Sequence, residues 1–142
     1  MGNTNQSSTG NANGILRFDA GTFDATSLSL GLKSNTGTGS NVNNAVNIGG
    51  GTFTVSGAVA MSAHTGTGAT GNVTSKLNIT NGTVNLGSTV SVANKNSATS
   101  AGIAAGEINV SGGALNVTGL LTLATQASVG TATGLQIGRA HV

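Results

Sequence analysis

Cysteine, proline, tryptophan and tyrosine are all absent from this 142-residue chain, phenylalanine occurs three times, and only 6% of residues carry a formal charge. Each shortage excludes something. Without cysteine there is no disulfide framework and no thiolate metal site, which suits a reducing cytosol and an oxidation-avoiding surface protein equally well. The formal net charge of +2 is scattered, with no basic run and no aromatic residue placed to stack on bases, so nucleic acid is not an expected partner. No apolar run approaches the length of a membrane span. The opening MGNTNQSSTGNANG is polar throughout and shows no basic or apolar region of an export signal.

What the chain does contain is small and polar. Its 24 Gly, 21 Thr, 17 Asn and 15 Ser sum to 77 residues, more than half of the total. Such a bias often marks disorder, because too little apolar surface is left to offset chain entropy. Yet the apolar fraction is 37%, and a short repeat reconciles the two, needing only a thin apolar stripe in each stacked unit.

The clearest unit is residues 77–92, LNITNGTVNLGSTVSV. Apolar and polar residues alternate in three short runs, the pattern of strands with one buried face, and Thr80-Asn81-Gly82 and Gly87-Ser88-Thr89 mark the corners between them. Related units begin near Gly14 (ILRFDAGTFDATSLSL), at Val46 (VNIGGGTFTVSGAVAM) and at Ile108 (INVSGGALNVTGLLTL). Their corner glycines, Gly21, Gly51, Gly82 and Gly113, are 30, 31 and 31 residues apart. The shorter first step arises after the second strand: Phe23 to Leu30 is seven steps, whereas Phe53 to Met61 is eight.

Superposing the units gives six columns expected to point inward: Leu16, Val46, Leu77, Ile108; Phe18, Ile48, Ile79, Val110; Phe23, Phe53, Val84, Leu115; Ala25, Val55, Leu86, Val117; Leu28, Val59, Val90, Leu121; and Leu30, Met61, Val92, Leu123. All 24 positions are apolar. The intervening positions, such as Asn47, Asn78 and Asn109, are polar except at Ala60. The expected fold is therefore all-β: a parallel β-helix of about four coils of ~31 residues with three short strands each.

Residues 1–13 read as an irregular lead-in, and the coils as roughly 14–41, 42–72, 73–102 and 103–134, with a fifth opening at Leu135. Between them lie connectors, expected to be loops on one edge, from which Val42, Val73, Ile103 and Leu135 restart the path. Residues 137–142, IGRAHV, correspond to ATC GGA AGA GCA CAC GTC, which resembles a short-read sequencing adapter, and are set aside; without Arg139 the charge is four minus three, or +1. Open strand edges at both ends of the stack predict edge-to-edge self-association.

No set of reactive side chains emerges. Gly66-Thr67-Gly68-Ala69-Thr70-Gly71 fits a dinucleotide fingerprint on paper, but a strand pattern follows it and no acid appears until Glu107. Asp19, Asp24 and Glu107 read as solvated surface charges, since the columns above and below Asp24 and Arg17 hold Thr and Asn. His64 reads as a lone connector residue, and His141 falls in the excluded tail. Neither suggests a metal. The triplets at Asn72, Asn78, Asn81, Asn109 and Asn116 follow from composition, and the Thr22, Thr52, Thr83 series is broken by Ala114. The expectation is thus no catalytic, cofactor-binding or metal residue, and no enzyme activity.

The pattern I-N-V-S-G-G-x-L-N-V-x-G-x-L-x-L across residues 14–135 resembles the autotransporter-associated β-strand repeat of bacterial passenger domains. The usual Tyr-Thr-Gly element is replaced here by Gly-Ser-Thr-Val or similar. The resemblance implies a right-handed parallel β-helix, export to the cell surface, and a stalk or adhesin role toward a host or environmental surface or a carbohydrate, with no cofactor. The alternative expectation is a set of non-catalytic coils from a carbohydrate-active β-helix.

Overall fold

The computed structural model describes residue 1, the backbone of residues 3–4, and residues 10–34, 41–67, 70–96, 101–127 and 131–134. All regular structure in these segments is strand. A short β1 (Asn3–Thr4) precedes the first repeat, which forms β2 (Ala12–Phe18), β3 (Thr22–Ala25) and β4 (Leu28–Lys33). The second forms β5 (Val42–Ile48), β6 (Thr52–Val55) and β7 (Val59–His64). The third forms β8 (Val73–Ile79), β9 (Thr83–Leu86), β10 (Val90–Ser91) and β11 (Asn94–Lys95). The fourth forms β12 (Ile103–Val110), β13 (Ala114–Val117), β14 (Leu121–Thr122) and β15 (Thr125–Gln126), and β16 (Thr131–Gly134) follows.

Equivalent strands pair in parallel, so each repeat contributes one rung to three walls. The first wall runs β2-β5-β8-β12-β16, the second β3-β6-β9-β13, and the third β1-β4-β7-β10-β14, with β11 and β15 beside it. Register follows the repeat: Leu16 pairs with Val46, Val46 with Leu77, and Leu77 with Ile108. The offset changes from 30 to 31 between the pairs Ala25/Val55 and Leu28/Val59, where the shorter first corner was located in the sequence. This architecture is a parallel β-helix, and it explains how so polar a chain acquires a core. One unit cannot bury its own apolar face, whereas a stack closes that face along its axis.

Of the 24 inward positions, 23 belong to one hydrophobic cluster, 15 of them buried and eight partly buried. The partly buried ones lie in the first and fourth copies, where the cluster lacks a covering rung on one side. Leu123 is the exception, 38% exposed at the fourth level. Burying each large aliphatic contributes roughly 1.5–3 kcal/mol, so the middle copies carry most of the stabilisation.

The corner glycines are required for their backbone conformation, and all but the first also for space. Gly21, Gly51, Gly82 and Gly113 have φ of 86°, 76°, 83° and 77°, a region that L side chains rarely adopt. They also stack: a Cβ on Gly82 would lie 2.6 Å from the Gly51 carbonyl oxygen, and one on Gly113 would lie 2.3 Å from that of Gly82.

The third wall departs from the simple alternation. Gly31 and Ser62 occupy one kink with φ of 75° and 52°, and in the third and fourth copies the kink divides the wall into two strands. The coil therefore has four straight segments there, and the first residues of each connector continue the wall instead of leaving it. Three further boundaries differ. Val73 is paired above by Ala104, not Ile103, which is 37% exposed. The fifth rung begins at Thr131, four residues before Leu135, which lies outside the described residues. Within the expected lead-in, Asn3 and Thr4 pair with Leu32 and Lys33.

Candidate functional site

Beyond the kink the interior changes character. Gly31 and Ser62 shift the inward phase by one residue, so Lys33, His64 and Lys95 point into the stack, each 0% exposed. They are one column: Lys33 pairs with His64, and His64 with Lys95. On the first wall Val42, Val73, Ala104, Asn44 and Ser75 are also buried, and Val73, Asn44 and Ser75 lie against the kink at Gly31. The main chamber is thus joined to a narrow polar slot. Ser75 ties the slot to the kink, its hydroxyl donating to the Leu30 carbonyl at 2.7 Å and accepting the Ser62 N–H at 3.2 Å. The Ser62 hydroxyl in turn donates to the Ala105 carbonyl.

The imidazole of His64 is held at both nitrogens. Nε2 lies 3.0 Å from the Gly71 carbonyl oxygen, and Nδ1 lies 3.2 Å from Lys95 Nζ. A carbonyl only accepts, so Nε2 carries the proton; Nδ1 then offers a lone pair to the lysine. Burial, reinforced by the charge of Lys95 and less strongly by that of Lys33, depresses the His64 pKa to about 4, against the opposing bond to Gly71. Burial also lowers the pKa of Lys33 and Lys95. His64 is therefore not the lone connector residue that alternation suggests. It ties the end of β7 to the connector that leads into β8, and it reaches Lys95 of the next copy.

The outer faces carry ladders. Asn78 Nδ2 donates to Asn47 Oδ1 at 2.8 Å, Asn109 Nδ2 to Asn78 Oδ1 at 2.9 Å, and Asn116 Nδ2 to Asn85 Oδ1 at 2.9 Å. At the entrance to the first wall, Asn11, Asn41 and Asn72 each accept a backbone N–H from the copy above through Oδ1. These bonds satisfy one rung from the next, as side-chain ladders do in stacked sheets. Three of the five triplet asparagines, Asn78, Asn109 and Asn116, have their amide nitrogen engaged in this way, while Asn81 is exposed at a corner. Thr22, Thr52, Thr83 and Ala114 do form one column.

The three acids do not converge. Asp19 lies at the first corner and Asp24 on β3, both exposed. Glu107 pairs in register with Lys76, carboxylate to ammonium 2.9 Å. That bond, with a second from Asn109, holds the carboxyl below its ordinary range. No group of three or more metal-ligating side chains occurs among the described residues. Of the glycine-rich segment, Gly68 and Ala69 lie outside the described residues; Gly71 leads into strand β8 rather than a helix, without the geometry of a dinucleotide turn. His141 also lies outside them.

Compared with protein families, curated proteins and solved structures, the chain matches none.

Proposed function

We propose that this chain is a structural, adhesive segment of an exported, autotransporter-like passenger, and that it is non-catalytic. The observation that carries this reading is the stacking of four copies in parallel register through three walls. Such a stack lengthens by about 4.8 Å with every added copy, so the sequence spends its residues on reach. The outer faces present amides and hydroxyls in regular columns, chemistry that suits contact with hydrated, carbohydrate-bearing surfaces.

The test fuses the chain, tagged ahead of Asn11, to an outer-membrane barrel in a bacterium. The tag should be accessible to antibody on intact cells, and those cells should adhere to a glycan-coated surface more than cells bearing the barrel alone. A tag retained inside the cell, adhesion equal to that of the barrel alone, or polysaccharide cleavage by the purified chain would each contradict the proposal.

A further inference from the structure

The polar slot is built around a group that can change charge in acid, and its geometry works for only one of the two states. We infer that the Lys95–His64–Gly71 chain is an acid-released latch, closed by neutral His64 and opened by a second proton on its ring.

In the closed state His64 Nε2–H donates to Gly71 O at 3.0 Å and Nδ1 accepts from Lys95 Nζ at 3.2 Å. Protonation turns Nδ1 into a donor aimed at another donor, and sets imidazolium against ammonium inside a wall that excludes water. Among the described residues, the groups around the ring are cationic or uncharged. Lys33 lies below it on β4 and Lys95 above it on β11. The first wall presents uncharged Val73 and Ala104. Beside Nε2, a Cβ on Gly102 would lie 2.6 Å away, so backbone closes that side. Asp19 and Asp24 are exposed, and Glu107 is committed to Lys76. Among the described residues, no carboxylate lies in the slot to pair with the new charge.

What gives way is set by the length of the strands. Asn94 and Lys95 pair with Ala63 and His64 over two residues, continued by the Asn96 N–H to the His64 carbonyl at 3.1 Å. The chamber side of the kink is instead held by Met61 and Val92, both 0% exposed. A two-residue pairing with a repulsive centre opens before a packed apolar wall does. Acid is therefore expected to detach β11 from the end of β7 while the main chamber stays closed.

The test is amide hydrogen exchange at pH 7 and at pH 4, corrected for intrinsic rate, with His64 followed by ring NMR. Protection of the Asn96 amide should fall about tenfold or more in acid, while residues 84–86 stay protected. In His64→Gln, whose amide can donate to Gly71 and accept from Lys95 without titrating, that fall should disappear. In Lys95→Met the His64 titration should move upward. Retention of the acid effect in His64→Gln, simultaneous loss at residues 84–86, or an unmoved titration in Lys95→Met would each overturn the latch.

Discussion

Phe23 lies face to face with Phe53 in the next copy, ring centroids 4.5 Å apart and planes 5° from parallel, and Phe18 meets Phe53 edge-on at 5.9 Å. This pair, 30 residues apart in the chain, places like residue on like residue at the lower end of the core. The stack adds about 0.5–1.5 kcal/mol to the burial of the rings.

Inward and outward positions should respond oppositely to the same change. Val84 is 0% exposed within the core cluster, so Val84→Asp places an unpaired carboxylate in an apolar wall and should abolish the folded state. Asn85, one residue on, accepts from Asn116 through Oδ1; Asn85→Asp keeps that acceptor and should change stability by less than about 0.5 kcal/mol. Thermal unfolding by circular dichroism distinguishes them, and equal effects would reverse the facing of β9.

Glycine is required to different degrees along the coil. A Cβ on Gly106 would lie 1.8 Å from the Val92 carbonyl oxygen, because the kinked third wall touches the first wall there. Gly106→Ala should cost about 3 kcal/mol or more. Gly21 has nothing within 4 Å of such a Cβ and suffers only from its φ of 86°, so Gly21→Ala should cost about 1 kcal/mol. Denaturant midpoints of the two variants measure the difference.

Stability should rise with pH across the acid range. The folded pKa of His64, about 4, lies below its ordinary 6.5, so the unfolded chain takes up its proton first as pH falls. Both states are neutral at His64 above pH 6.5, and the penalty accumulates between about pH 6.5 and 4, reaching roughly 3 kcal/mol. The depressed Glu107 acts in the same sense, its contribution being lost as pH falls through its folded pKa. The depressed Lys33 and Lys95 add stability as pH rises toward 10.5. Urea unfolding should give a higher midpoint at pH 7 than at pH 4.5, and for His64→Gln that rise should shrink.

The core was legible because strict alternation, repeated at one period, survives in Leu16, Val46, Leu77 and Ile108 and in the other columns. The polar slot was not legible by that rule. Alternation carries a polar residue to the outside, and it holds until Gly31 and Ser62 adopt positive φ, after which Lys33 and His64 turn inward. A signal was nonetheless present: Lys33, His64 and Lys95 are 31 residues apart, the period of the core itself, although they stand in segments that look like loops. Ile103 misleads for a related reason, since the more apolar residue faces out while small Ala104 fits under the kinked wall.

The stacking of successive repeats is tested most directly by the distance between Thr52 and Thr83, which pair in register on adjacent strands. The chain has no cysteine, so Thr52→Cys with Thr83→Cys gives two unique sites for nitroxide labels. Parallel neighbours about 4.8 Å apart should produce strong dipolar broadening of the doubly labelled spectrum. A spectrum equal to the sum of the two singly labelled ones, from folded protein, would contradict the β-helix.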